Sequence, residues 1–150
     1  MFATSIIRSV IRLVPHVMVL ALAGVSVACN SDGPEDEPEV QTIRLVIGTQ
    51  TIDIDRAAAT PTITIAIGAH NVTATFLRAN GDIEPLVNAT EFEIRLEGMN
   101  ASIATFTHAG AFAGTLTGVA AGSTNVTVQL YHKVEAHADF EKSVMLTVTG

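Results

Sequence analysis

From Thr42 onward the apolar residues of this chain recur at every second position, and that period constrains the fold more than any other feature. Ile43, Leu45 and Ile47 alternate with Thr42, Arg44 and Val46, and Ile52 and Ile54 with Thr51, Asp53 and Asp55. The pattern continues through Ile63-Ile65-Ile67, Val72-Ala74-Phe76, Phe92-Ile94-Leu96, Val126-Val128-Leu130 and Val144-Leu146-Val148. Successive side chains of a strand point to opposite faces, so each run has one face for a core and one for water. A helix would need a period of 3.6. Two further strands fit around Ile103 to Thr107 and Ala113 to Thr117.

Turn residues separate the runs: Gly48, Pro61, Asn80-Gly81-Asp82, Pro85, Gly98, Gly110, Gly118 and Gly122. About nine short strands at this spacing predict an all-β antiparallel sandwich over 42–150, with no helix in that part. Asp53 and Asp55 alternate with Ile52 and Ile54, so they are expected on the solvent face. His70, just before a run, is expected at the surface.

The first 28 residues follow different rules. Arg8 and Arg12 precede an apolar stretch, Val17 to Ala28, that ends at Cys29, the only cysteine of the 150 residues. Twelve apolar residues are too few to span a bilayer, which takes about 20. A basic segment followed by a short apolar one has the pattern of an export signal. Val25-Ser26-Val27-Ala28-Cys29 resembles a bacterial lipobox, although Ser26 stands where Leu is usual. That resemblance implies a signal helix over 1–28 and lipidation of Cys29. It also implies a protein held by lipid in the bacterial cell envelope, outside the cytoplasm, at the outer membrane or cell surface. From Asn30 to Glu39, five residues of ten are acidic and two are proline. Such a run cannot build a core and predicts an acidic flexible tether over 29–41.

Charge and composition exclude some functions. The chain carries −7, and removing residues 1–28 takes away two positive charges and no negative one, leaving −9. A nucleic-acid binder needs a basic face, so nucleic acid is not an expected partner. One cysteine permits no internal disulfide. No P-loop, Gly-x-Ser-x-Gly or His-Glu-x-x-His motif is present, and no enzymatic activity or obligatory cofactor is expected. Four Asn-x-Ser/Thr triplets, at Asn71, Asn88, Asn100 and Asn125, are expected by chance in a threonine-rich chain.

The densest chemistry lies in Tyr131 to Glu141, which holds two histidines and three acids. His137 and Asp139 are two apart, so a strand places both on one side. His132 could join them across a hairpin, and His108 from a neighbouring loop could complete a set. Imidazole with carboxylate suits Zn or Cu(II) better than Ca. The alternative is a polar hairpin tip at a sandwich edge. Phe112 and Phe140 are candidate exposed aromatics of a binding surface, or else caps on the ends of the core.

One stretch has a family likeness. Ser102-Ile103-Ala104-Thr105-Phe106, followed by Gly114-Thr115-Leu116-Thr117-Gly118-Val119-Ala120-Ala121-Gly122 and then Val126-Thr127-Val128, resembles the group 2 bacterial immunoglobulin-like domain. Val72-Thr73-Ala74-Thr75-Phe76 with Asn80-Gly81-Asp82 resembles its upstream strand and turn. The likeness spans about Ile65 to Val148. It lacks the usual Trp near Phe92, and it has extra residues at Thr107 to Ala113 and a long hairpin tip at His132 to Lys142. The resemblance implies an immunoglobulin-like sandwich with an adhesion or spacer role and no catalytic residues. Residues 42–57 lie outside it, as an added hairpin or edge strands. In the Gly118–Gly122 block, Val119 is expected to plug the core, and the glycines to supply backbone angles closed to other residues.

Together these features lead to the expectation of a non-catalytic, lipid-anchored envelope protein. Its immunoglobulin-like domain would bind an unidentified protein or glycan, with the membrane engaged through the N-terminal lipid. The alternative is an extracytoplasmic metal-binding protein using His132, His137, Asp139 and His108.

Overall fold

A computed structural model describes residues 37–150. The expected export signal, the lipidated Cys29 and most of the acidic tether lie outside the described residues.

The described chain is all-β, with nine strands: β1 (Thr42–Ile47), β2 (Gln50–Asp55), β3 (Thr62–Ala66), β4 (Gly68–Leu77), β5 (Phe92–Glu97), β6 (Ala104–Gly110), β7 (Ala113–Gly118), β8 (Gly122–His132) and β9 (His137–Thr149). They form a five-stranded sheet in the order β2-β1-β4-β7-β6 and a four-stranded sheet in the order β3-β9-β8-β5. The inward residues of both sheets belong to one apolar cluster. Ile43, Leu45, Val72, Phe76 and Leu116 come from the first sheet, and Ile65, Ile94, Val128, Phe140 and Leu146 from the second. The period-two alternation therefore survives as a burial pattern, most clearly in β1, β5 and β7.

The pairing is antiparallel with one exception: β3 runs parallel to β9, pairing Ile63 with Leu146 and Ile65 with Val148. Alternation states which face is buried and is silent on partner direction, so the wholly antiparallel expectation fails here. The same place explains Ile67. It continues the alternation of Ile63 and Ile65, yet it is 52% exposed. The chain passes from one sheet to the other between Ala66 and Gly68, and Gly68 takes φ 120° at that step.

Three other expectations change. The segment Thr107 to Ala113 is not an inserted loop: β6 extends to Gly110, and only Ala111 and Phe112 join it to β7. The hairpin tip is not His132 to Lys142 but the four residues 133–136. The tether ends early, because Val40 is in the core and the Gln41 amide donates to the Leu77 carbonyl at 2.8 Å.

Val119 is 47% exposed and does not plug the core. The demand on Gly118 is space rather than an unusual backbone angle. A Cβ there would lie 2.5 Å from the Ala66 carbonyl oxygen and 2.9 Å from Val148 Cγ1. Gly114 is tighter still, with the Phe106 ring lying directly over its α-carbon. These two glycines let β7 lie under Phe106 and close to the segment that leads from β3 into β4.

Candidate functional site

The site is built where the β8–β9 hairpin ends. His132 and His137 are the last pair of that ladder, directly opposite each other. Their separation in sequence is spanned by a four-residue tip closed by the Ala136 amide donating to the His132 carbonyl at 2.9 Å. Ala136 has φ 58°, the left-handed region, which for a residue with a Cβ costs roughly 1–2 kcal/mol. Such strain persists only where the surroundings over-determine it. Here the ladder fixes one side. On the other, Lys133 is held to the loop before β5: its amide donates to the Glu91 carbonyl at 2.7 Å and its Nζ to the Ala89 carbonyl at 2.8 Å.

Each side chain is then held by something specific. His132 faces Phe92 across the β5–β8 ladder, and the two rings stack with centroids 4.5 Å apart. His137 lies edge-on to His132 at 5.6 Å. Glu135 projects between them. Its Oε2 is 3.3 Å from His132 Nδ1 and 3.4 Å from His137 Nδ1. His137 Nε2 is 2.5 Å from Asp139 Oδ1, so the opposite ring nitrogen, Nδ1, is the one on the side of Glu135.

Asp139 reaches this position through an irregularity. The β8–β9 register pairs Leu130 with Phe140 and then Tyr131 with Ala138, leaving Asp139 as an extra residue. A bulge re-aims the side chain it carries and releases its backbone from the ladder. The released Asp139 carbonyl accepts from Arg56 Nη2 at 2.6 Å, and the same guanidinium stands 4.9 Å over the Phe140 ring. The Asp139 side chain is 8% exposed, and its Oδ2 is buried with no hydrogen-bond partner.

The sequence-derived candidates divide accordingly. His132, His137 and Asp139 come together. His108 does not join them: it stands on β6, an edge strand of the other sheet, edge-on to Phe106. Phe140 is 0% exposed and belongs to the core, so it offers no binding surface. Its place in β9 explains this, since Phe140, Val144, Leu146 and Val148 all share the inward face. Phe112 is half-buried and packs edge-on against Phe76 at 5.0 Å, capping the core. Asp53 and Asp55 lie beside the core-facing Ile54; Asp53 is engaged by Arg44 at 2.7 and 2.8 Å.

Two carboxylates whose placement matters escape the sequence reading. One is Glu135, counted among the acids of the segment but not chosen, because its place depends on the turn at Ala136. The other is Glu84, the only buried charged residue among the described ones, at 1% exposure. Its carboxylate accepts from Arg78 Nε at 2.7 Å, Arg78 Nη2 at 3.1 Å, and the amides of Glu39 and Leu86, both at 3.1 Å. Nothing in the string Ile83-Glu84-Pro85 signals this. The Arg78 hydrogen bonds, opposed by burial and aided by the Leu86 amide, hold the Glu84 carboxyl below the ordinary glutamate range.

Beside the hairpin end is a cleft of about 490 Å³. Glu37, Glu91, Glu135, Asp139 and His132 are in its wall, together with apolar and amide side chains, and neither Lys nor Arg lines it. Its titratable lining is acidic apart from His132. No family model matches the chain, and no curated protein matches it either.

Proposed function

We propose that the chain is a non-catalytic, lipid-anchored protein of the bacterial cell envelope that presents an immunoglobulin-like domain for adhesion or binding of a protein or glycan. The observation that carries this reading is where the motif residues fall in a two-sheet fold. Gly114 lies under Phe106, Leu116 fills the core, and Gly118 sits against Ala66 and Val148. Val126 and Val128 face inward from β8. Five residues of the stretch that resembles the group 2 bacterial immunoglobulin-like domain are thus closely packed, whereas Val119 of the same stretch is exposed. The net charge of −9 after the export segment fits a protein or glycan partner and not nucleic acid.

The anchor is tested by fractionating bacterial cells that express the full chain and its Cys29→Ser variant. The expected result is detergent-extractable membrane association and labelled-palmitate incorporation for the first, and neither for the second. Equal membrane association of both would overturn the anchor.

A second reading, an extracytoplasmic metal-binding protein, is favoured by a specific observation. One ligand atom each from His132, Glu135 and His137 lies within 4.8 Å of the others.

A further inference from the structure

Resting on that second reading, we propose that the β8–β9 hairpin end is a zinc-class site with a defined ligand set. The ligands are His132 Nδ1, His137 Nδ1 and one carboxylate oxygen of Glu135. Asp139 positions His137, and the fourth coordination position opens toward the acidic cleft.

Two of the three ligand separations match a tetrahedral site, and the three donor atoms all lie within 4.8 Å of one another. Zinc takes nitrogen at about 2.0–2.1 Å and carboxylate oxygen at about 2.0–2.2 Å. In a tetrahedron with such bonds, neighbouring ligands are about 3.4 Å apart. The two observed nitrogen–oxygen separations are 3.3 and 3.4 Å. Square-planar Cu(II) with similar bonds would bring neighbouring ligands to about 2.8 Å. Two imidazoles and a carboxylate with one open position form a familiar zinc donor set. Glu135 and His137 are both exposed enough to close the remaining gap, while the Phe92 stack holds His132.

Asp139 supplies an independent indication. A buried carboxylate oxygen without a hydrogen-bond partner is costly and calls for an explanation. Its other oxygen lies 2.5 Å from His137 Nε2, which leaves Nδ1 of that ring on the side of Glu135. A carboxylate behind a ligating histidine fixes the tautomer and raises the basicity of the ligand. The strained Ala136 completes the argument, since it forms the turn that puts Glu135 and His137 beside His132.

The test is titration of the full chain in detergent with Zn(II) alone, in a Cys29→Ser background so that no thiol competes. Calorimetry is combined with chelator competition, and circular dichroism checks that each variant is folded. One equivalent bound at micromolar Kd or tighter is expected. His132→Ala, His137→Ala and Glu135→Gln should each weaken binding at least tenfold, and His108→Ala should leave it unchanged. Asp139→Ala should weaken it about 10–100-fold. Asp139→Asn, which still accepts the His137 proton, should recover part of that loss. Co(II) in place of zinc should give the intense visible absorption of a tetrahedral site. The absence of bound Zn(II) at micromolar concentration would overturn both the site and the metal-binding reading. Zinc bound with no response to the Glu135 and Asp139 variants would overturn this ligand set and leave metal binding by the chain standing.

Discussion

Two carboxylates of this protein are withdrawn from water, and they are treated in opposite ways. Glu84 accepts four hydrogen bonds, two of them from one guanidinium, and ties the incoming chain at Glu39 to the loop at Leu86. Asp139 has one partner, a histidine, and a second oxygen with none. A satisfied buried charge is structural, because every bond it makes holds chain to chain. An unsatisfied one beside a histidine is a destabilised point that earns its place only through something it holds. Their side chains are 0% and 8% exposed, so side-chain burial by itself does not separate support from site.

Substitutions can break or sharpen that contrast. The largest effect is expected at Glu84. Glu84→Ala leaves the Glu39 and Leu86 amides and Arg78 without their acceptor and should cost about 2–3 kcal/mol in urea unfolding. A loss below about 0.5 kcal/mol would show that the four bonds do not support the fold. Acid should act through the same group. The folded state holds the Glu84 proton more weakly than the unfolded chain does. The contribution is therefore complete above the ordinary glutamate range and fades as pH falls through the lower, folded value. Glu84→Gln should flatten the loss of stability between about pH 6 and pH 3 relative to the natural chain. Parallel slopes would remove Glu84 as a source of acid sensitivity.

Smaller effects are expected at the hairpin. Ala136→Gly relieves the left-handed strain and should raise stability by about 0.5–1 kcal/mol, the glycine's extra unfolded-state freedom taking back part of the gain. Asp139→Ala removes an unpaired acceptor together with one hydrogen bond. It should change metal-free stability by less than about 1 kcal/mol, well under the Glu84 effect. If Asp139→Ala proves as damaging as Glu84→Ala, the distinction between the two carboxylates fails. His108→Ala, on a different sheet edge, should be within about 0.5 kcal/mol of neutral.

The strands were legible because burial on one face writes itself into every second residue. Nearly every run from Ile43 to Val148 is a strand where the alternation places it. What escaped was whatever depends on which strands meet. The parallel β3–β9 pair and the exposed Ile67 both follow from partner choice. The site was half legible. His132, His137 and Asp139 were within reach because two-residue spacing and hairpin closure are local. Glu135 required the left-handed Ala136, a conformation that alanine does not advertise. Asp139 met His137 as expected, but it does so from a bulge, which alternation does not foresee.

The position of β9 has a consequence for how the chain comes into being. Of the nine strands β9 is synthesised last, yet it lies inside the four-stranded sheet, hydrogen-bonded to β3 on one side and β8 on the other. Until residues up to Thr149 leave the ribosome, β3 has no partner, and β8 can pair only with β5. Pairings this distant in sequence form slowly, because a long loop must close before any contact compensates it. The four-stranded sheet therefore stays incomplete until β9 has been made, while the strands of the five-stranded sheet are all available earlier.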